Sequence, residues 1–161
     1  MSILVSACLL GQPVRYGGGT CTVDSDRLRQ WVGEGLVIPF CPEVAGGLPV
    51  PRPPAEIQGP GGGAVLDGAG KVTTQAGADV SEAFLRGARG ALEAAQAGGA
   101  RLAILKESSP SCGCHRIHDG RFAGVRVPGE GVTAALLRRS GIAVFSEEEI
   151  QDAADWLAQI A

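Results

Sequence analysis

Aromatic side chains are scarce in this sequence, at 4% of residues with a single tyrosine, which argues against a platform on which nucleic-acid bases stack. Charge of one sign is not concentrated anywhere: 14 basic and 17 acidic residues leave a net −3. The footprint needed to hold a nucleic-acid duplex is therefore missing, and a small molecule is the expected partner. The longest apolar run falls far short of the roughly 18 residues a membrane span requires, so no membrane association is expected. The opening MSILVSACLL is too short and too uncharged to read as a signal peptide. Five cysteines cannot all pair with one another, and none stands in a CxxC spacing, so a reducing cytoplasm is the expected setting. The 161 residues suit one domain, 1–161, which at this length buries roughly two-thirds of its unfolded surface without disulfides.

Glycine is plentiful, at 25 residues, and marks irregular loops and close backbone packing. Ile3 to Ala7 reads as a buried strand running into Cys8, and GQPVRYGGGTC, 11–21, as a loop. Ser25 or Asp24 caps a helix over 26–34, and Leu36 to Phe40 is a second strand that delivers Cys41. From Pro42 to Pro60 the density of proline and glycine predicts no regular structure. Asp67-Gly68, between Ala64–Leu66 and Lys71–Thr74, is expected to turn a small β-hairpin insertion. A helix over 79–96 follows, with Val80, Phe84, Ala88, Ala91, Leu92 and Ala95 on one face. Leu102–Leu105 and Ile142–Phe145 are strands, Val132–Ser140 is a helix, and Ser146 caps a last helix over 147–160. Alternating strands and helices predict an α/β fold, a Rossmann-like parallel sheet flanked by helices on both faces, carrying the Pro/Gly-rich loop and the hairpin.

In such sheets ligands bind beyond the carboxyl ends of the strands, where Cys8, Cys41 and Cys112 each follow a different strand. Three thiols remote in sequence then converge on one edge. Zinc takes four protein ligands, or three and a water, while an iron–sulfur cluster normally takes four thiolates. Three thiolates on a cluster leave one iron open as a Lewis acid, which points to catalysis more than to electron transfer. Spacing alone does not separate iron from zinc, and three buried cysteines filling space remain the plain structural alternative.

SACLLG at 6–11, CPEVAGGLPVPRPPAE at 41–56, KESSPSCG at 106–113, IHDGRFAG at 117–124 and GVTAALLRRSGIAVFSE at 131–147 together resemble the family of thiouracil desulfidases of the TudS type, long catalogued as a domain of unknown function. The resemblance spans nearly the whole chain. It implies a 4Fe-4S cluster held by three cysteines, here Cys8, Cys41 and Cys112, with one open iron that takes the sulfur removed from a thiolated uracil. The implied partner is a small thiolated nucleobase or nucleotide, thiouracil or 4-thiouridine monophosphate, and the implied reaction is non-redox desulfuration to uracil or uridine product and hydrosulfide. Two positions depart from the family's usual pattern: Gly17 stands in place of an aspartate, and Cys114 in place of a small polar residue.

Replacing sulfur by oxygen at a thiocarbonyl needs a base for water and proton donors near the ring. Glu43, two residues beyond Cys41, is the expected base. Ser109 and Ser111, flanking Pro110, are expected to orient substrate or bond cluster sulfur, and Lys106 to stabilise an anionic intermediate or a phosphate, or to pair with Glu107. His115 and His118 are expected to lie outside the chemistry, with Asp119 closing a turn on its own backbone. Cys21 is expected to be a free thiol. Cys114 is expected to be a bystander; the alternative is a closed four-cysteine cluster serving electron transfer or no catalysis, and a third reading is a zinc-dependent hydrolase.

Overall fold

The computed structural model describes residues 1–160. Its elements, in chain order, are β1 (Ser2–Ser6), a 3-10 turn (Ala7–Leu10), α1 (Asp26–Gly33), β2 (Val37–Phe40), α2 (Pro42–Ala45), β3 (Ala55–Gln58), α3 (Gly62–Leu66) and β4 (Lys71–Thr74). The second half holds α4 (Ser81–Ala97), β5 (Ala100–Leu105), β6 (Arg116–His118), β7 (Arg126–Pro128), α5 (Val132–Arg139), β8 (Ala143–Ser146), a 3-10 turn (Glu147–Glu149) and α6 (Ile150–Ile160). β2, β1, β5 and β8 form one parallel sheet in that order.

The apolar runs Ile3–Val5 of β1 and Leu102–Leu105 of β5 reflect burial on both faces. Ile3 and Val5 of β1, with Leu102 and Ile104 of β5, pack against Leu28 and Trp31 of α1 and Ile150 and Ala153 of α6. Leu4, Ala103 and Leu105 point the other way, onto Ala91 and Ala95 of α4 and Leu137 of α5. The sheet is thus flanked by helices on both faces, as expected. The chain steps outward from β1 to β2 and then crosses back to place β5 on the far side of β1. That reversal opens a crevice between the carboxyl ends of β1 and β5, where doubly wound sheets bind their ligands. Among the described residues no helix is long and apolar enough to cross a membrane.

Three sequence expectations are corrected. Ala64–Leu66 is not a strand but the end of α3, and Gly68, at φ 79, closes that helix with its N–H donating to the Val65 carbonyl at 3.2 Å. A glycine after a helix and a glycine in a hairpin both need positive φ, so Asp-Gly alone does not separate them. α3 is favoured because Gly62 lets its backbone reach α5, where an added Cβ would lie 2.2 Å from the Gly131 carbonyl oxygen, and because Val65 joins the core of Ile57, Val72 and Phe84. β4 does lie in a hairpin, but its antiparallel partner is β3, which falls inside the segment expected to be irregular. The same segment begins with α2, where Pro42 occupies a first-turn position that suits proline. Lastly, β6 and β7 pair as an antiparallel hairpin that was not expected, although Asp119 closes its turn as anticipated, Oδ1 accepting the Arg121 N–H at 3.0 Å.

Helix α4 matches its expected face, burying Phe84, Ala88, Ala91 and Ala95, and also buries Gly87. A Cβ at Gly87 would stand 1.9 Å from the Pro42 carbonyl oxygen, and one at Gly46 would stand 2.0 Å from that of Ala83. Glycines on both sides therefore let α2 lie directly on α4, and this contact fixes the position of Cys41 and Glu43. Gly87→Ala is expected to cost about 1–3 kcal/mol by overpacking, whereas Gly90→Ala, whose Cβ would meet only the Phe40 ring at 3.3 Å, should be nearly neutral. Urea unfolding of the two variants checks the contrast.

Candidate active site

A cavity of about 350 Å³ occupies the crevice. β1 leads through its 3-10 turn to Cys8, β2 leads directly to Cys41 at the N-cap of α2, and the loop after β5 returns Cys112; all three thiols line the cavity. The hydroxyl of Ser6 at the end of β1 donates to Cys112 Sγ at 3.5 Å and accepts the Lys106 N–H at 3.0 Å, stitching the two central strand ends together. Burial pushes the Cys8 thiol up from 9.0 to about 12, with Cys21 and Cys41 adding to the rise. Burial likewise raises Cys41, and raises Cys112, where Glu43, Cys41 and Cys8 add to it. The three thiols therefore feel one another, and none ionises readily unless a cationic group arrives to hold the thiolates.

No three His, Cys, Asp or Glu side chains among the described residues converge as ligands of one metal ion. Three thiols around one cavity are soft donors of the kind an iron–sulfur cluster takes. Cys114, at 2% exposure, faces away from the cavity: its thiol approaches the Cys112 carbonyl at 3.4 Å and the Leu105 carbonyl at 3.8 Å, within the core under α4 and α5. Cys21 packs with Cys8 against the core under α1 and α6, its N–H donating to the Cys8 carbonyl at 3.0 Å, and it does not line the cavity.

Glu43, on the first turn of α2, brings its carboxylate to the same wall. Oε1 accepts from Arg52 Nε at 3.2 Å and Oε2 from the Ser109 hydroxyl at 3.3 Å. Ser109 Oγ in turn accepts the N–H groups of Ser111 at 3.1 Å and Cys112 at 3.2 Å, so one hydroxyl caps the cysteine's turn and meets the acid. Ser111 itself lies in the core, fully buried, its hydroxyl 2.7 Å from that of Thr133 and away from the cavity wall. Lys106 lines the cavity, and its Nζ donates to the Glu107 carbonyl at 3.0 Å and to Glu147 at 3.4 Å, not to the Glu107 carboxylate.

Several wall residues take places that the sequence did not indicate. Burial opposes ionisation of Glu107, yet the backbone N–H groups of His115, Arg116, Cys114 and Ser108 hold its carboxyl below its ordinary value. All four donate to the same oxygen, so the loop that carries Cys112 is folded round one buried carboxylate. Glu56, on β3, holds the β6–β7 loop by accepting the N–H groups of Gly120 and Phe122 at 2.9 and 3.2 Å. Among the described residues, Ser108 and Phe122 are the non-glycine positions with positive φ, at 70° and 57°, and both line the cavity; strain of this kind collects at functional sites. His118 also enters the wall, whereas His115 pairs with Glu149 at the surface.

Three thiols from three strand ends of a parallel α/β sheet thus stand beside a pocket in which a carboxylate and a hydroxyl meet. The profile of the family described as 2-thiouracil desulfurase matches residues 3–149. The chain belongs to that family, which is one of enzymes. It is 45% identical over 150 residues to the uncharacterised protein YbbK of Bacillus subtilis (strain 168), covering 93% of this chain and 98% of that protein. Among solved structures it is similar to a [4Fe-4S]-dependent thiouracil desulfidase, TudS, at 52% identity and a TM-score of 0.91, covering 98% of each chain.

Proposed function

We propose that the protein is a 4Fe-4S-dependent desulfidase that exchanges the sulfur of a thiolated uracil for oxygen from water with no net electron transfer. The observation that carries this reading is the separation of the five cysteines: Cys8, Cys41 and Cys112 share the wall with Glu43, while Cys21 and Cys114 do not. Held by those three thiolates, the cluster would supply one iron without a protein ligand, a Lewis acid for a soft substrate sulfur. Glu43 accepts a proton from water as its oxygen bonds to the ring carbon. The carbon–sulfur bond then breaks as the added hydroxyl becomes the ring carbonyl and releases its own proton to solvent, while the proton held by Glu43 passes to the departing sulfur, which leaves as hydrosulfide. Ser109 orients the carboxylate through its hydroxyl. Lys106 offsets negative charge that develops on the ring. Ser111 acts only at a distance, by fixing the turn before Cys112.

The exposed arginines Arg15 and Arg126 at the cavity rim support a substrate that carries a phosphate, 4-thiouridine monophosphate, over the free base. Anaerobic reconstitution with iron and sulfide, followed by incubation with 2-thiouracil, 4-thiouracil and 4-thiouridine monophosphate, tests the reading by loss of thione absorbance and release of sulfide. Turnover without any added reductant or oxidant is expected, fastest with the monophosphate. A fully loaded protein that releases no sulfide from any of the three would overturn the proposal.

A further inference from the structure

Arg52 lies in the proline-rich segment with its side chain only 4% exposed. Its guanidinium bonds in three directions: Nε to Glu43 Oε1 at 3.2 Å, Nη1 to the Pro49 carbonyl at 3.1 Å and Nη2 to the Val14 carbonyl at 2.9 Å. The Arg52 N–H also donates to the Tyr16 carbonyl at 2.7 Å. Val14 and Tyr16 belong to the glycine-rich segment after Cys8 and form part of the cavity wall. Taking an arginine out of water opposes folding, and an apolar residue would fill such a space without that cost. What an apolar residue cannot do is grip a carboxylate and two carbonyls at once with one rigid fork, which a lysine also lacks.

We propose that Arg52 is a positioning residue acting through Glu43, an inference that rests on the reaction proposed above. With Oε1 taken by Arg52, the carboxylate cannot rotate about its axis, and Oε2 stays on the Ser109 side for proton transfer. The same guanidinium ties the Val14–Tyr16 segment to the base, so wall and base are set in one step.

The test combines kinetics with hydrogen exchange on the reconstituted full chain. Arg52→Met is expected to lower kcat about 10²-fold by letting the base swing, a loss typical of about 1 Å of misplacement, with KM within about threefold of the parent because substrate contacts remain. If Arg52 acts only through Glu43, the Arg52→Met/Glu43→Gln double variant should be no slower than Glu43→Gln alone; losses that multiply would overturn the proposal. Arg52→Met should also speed amide exchange across residues 14–18 while β1 and β5 stay protected. Unchanged exchange there would overturn the clamp. Should the Met variant not fold, Arg52→Lys serves: it keeps the charge beside Glu43 but not the fork, so faster exchange and a partial loss of kcat are expected, and parental values of both would refute the role. An inactive parent would count against the reaction instead, leaving the exchange measurement to decide Arg52.

Discussion

Serine in place of Cys8, Cys41 or Cys112 is expected to take the iron content of the anaerobically reconstituted protein from about four per chain to below one, while serine at Cys21 or Cys114 leaves it unchanged. A hydroxyl is a hard, weakly acidic ligand that does not replace a thiolate on iron, and a cluster held by three protein ligands has no spare one to lose. At the other two positions serine meets different demands. The Cys114 thiol already points at carbonyl oxygens of Leu105 and Cys112, which a hydroxyl can serve as well, so the fold survives and the cavity is untouched. The electron-carrier alternative makes the opposite forecast, since there Cys114 would be the fourth ligand and its loss would release iron or open a substrate site. Iron retained in Cys41→Ser would end the three-cysteine proposal; iron lost from Cys114→Ser would favour the closed cluster.

The strand ends were legible because β1 and β2 are apolar runs that stop within two residues of Cys8 and Cys41, and β5 runs into the short loop that carries Cys112; a parallel sheet turns that sequence coincidence into a shared edge. The supports of the site were much less so. Arg52 and Glu56 sit in a stretch whose prolines argue against regular structure, yet the cavity's hydrogen bonds originate there. Proline density reports where a backbone cannot form a ladder and carries no information about side chains reaching back from a loop. Glu107 was visible only as a possible partner of Lys106. Its actual role, accepting four backbone N–H groups, depends on the path of the loop, which brings back Cys114, His115 and Arg116 to join the adjacent Ser108. The α3 correction has a similar origin: Ala-Val-Leu is too short for periodicity to separate helix from strand, and the deciding contact, Gly62 against Gly131, links residues far apart in the chain. Ser111 and Ser109 look equivalent around Pro110, but backbone geometry sends one hydroxyl into the core toward Thr133 and the other to Glu43.

Glu43→Gln is expected to keep the cluster, keep KM near the parental value, and lose about 10²–10⁴-fold in kcat, the range a general base contributes. The amide keeps an oxygen for Arg52 Nε, so the guanidinium stays partnered and the wall stays in place. Alanine would instead strand a nearly buried arginine, and a loss of activity could then arise from a collapsed pocket. The informative atom is Oε2. In the parent it accepts from the Ser109 hydroxyl at 3.3 Å and retains lone pairs for a proton from water; in glutamine an amide nitrogen can take that place, with no basic lone pair. Shape is conserved and basicity removed, so the variant isolates the proton-accepting step. If another group took the proton, the amide would serve equally well as an orienting neighbour and the rate would hardly change. Turnover above about one-tenth of the parent, with iron content and KM preserved, lies below the range for a general base and would remove Glu43 from that role.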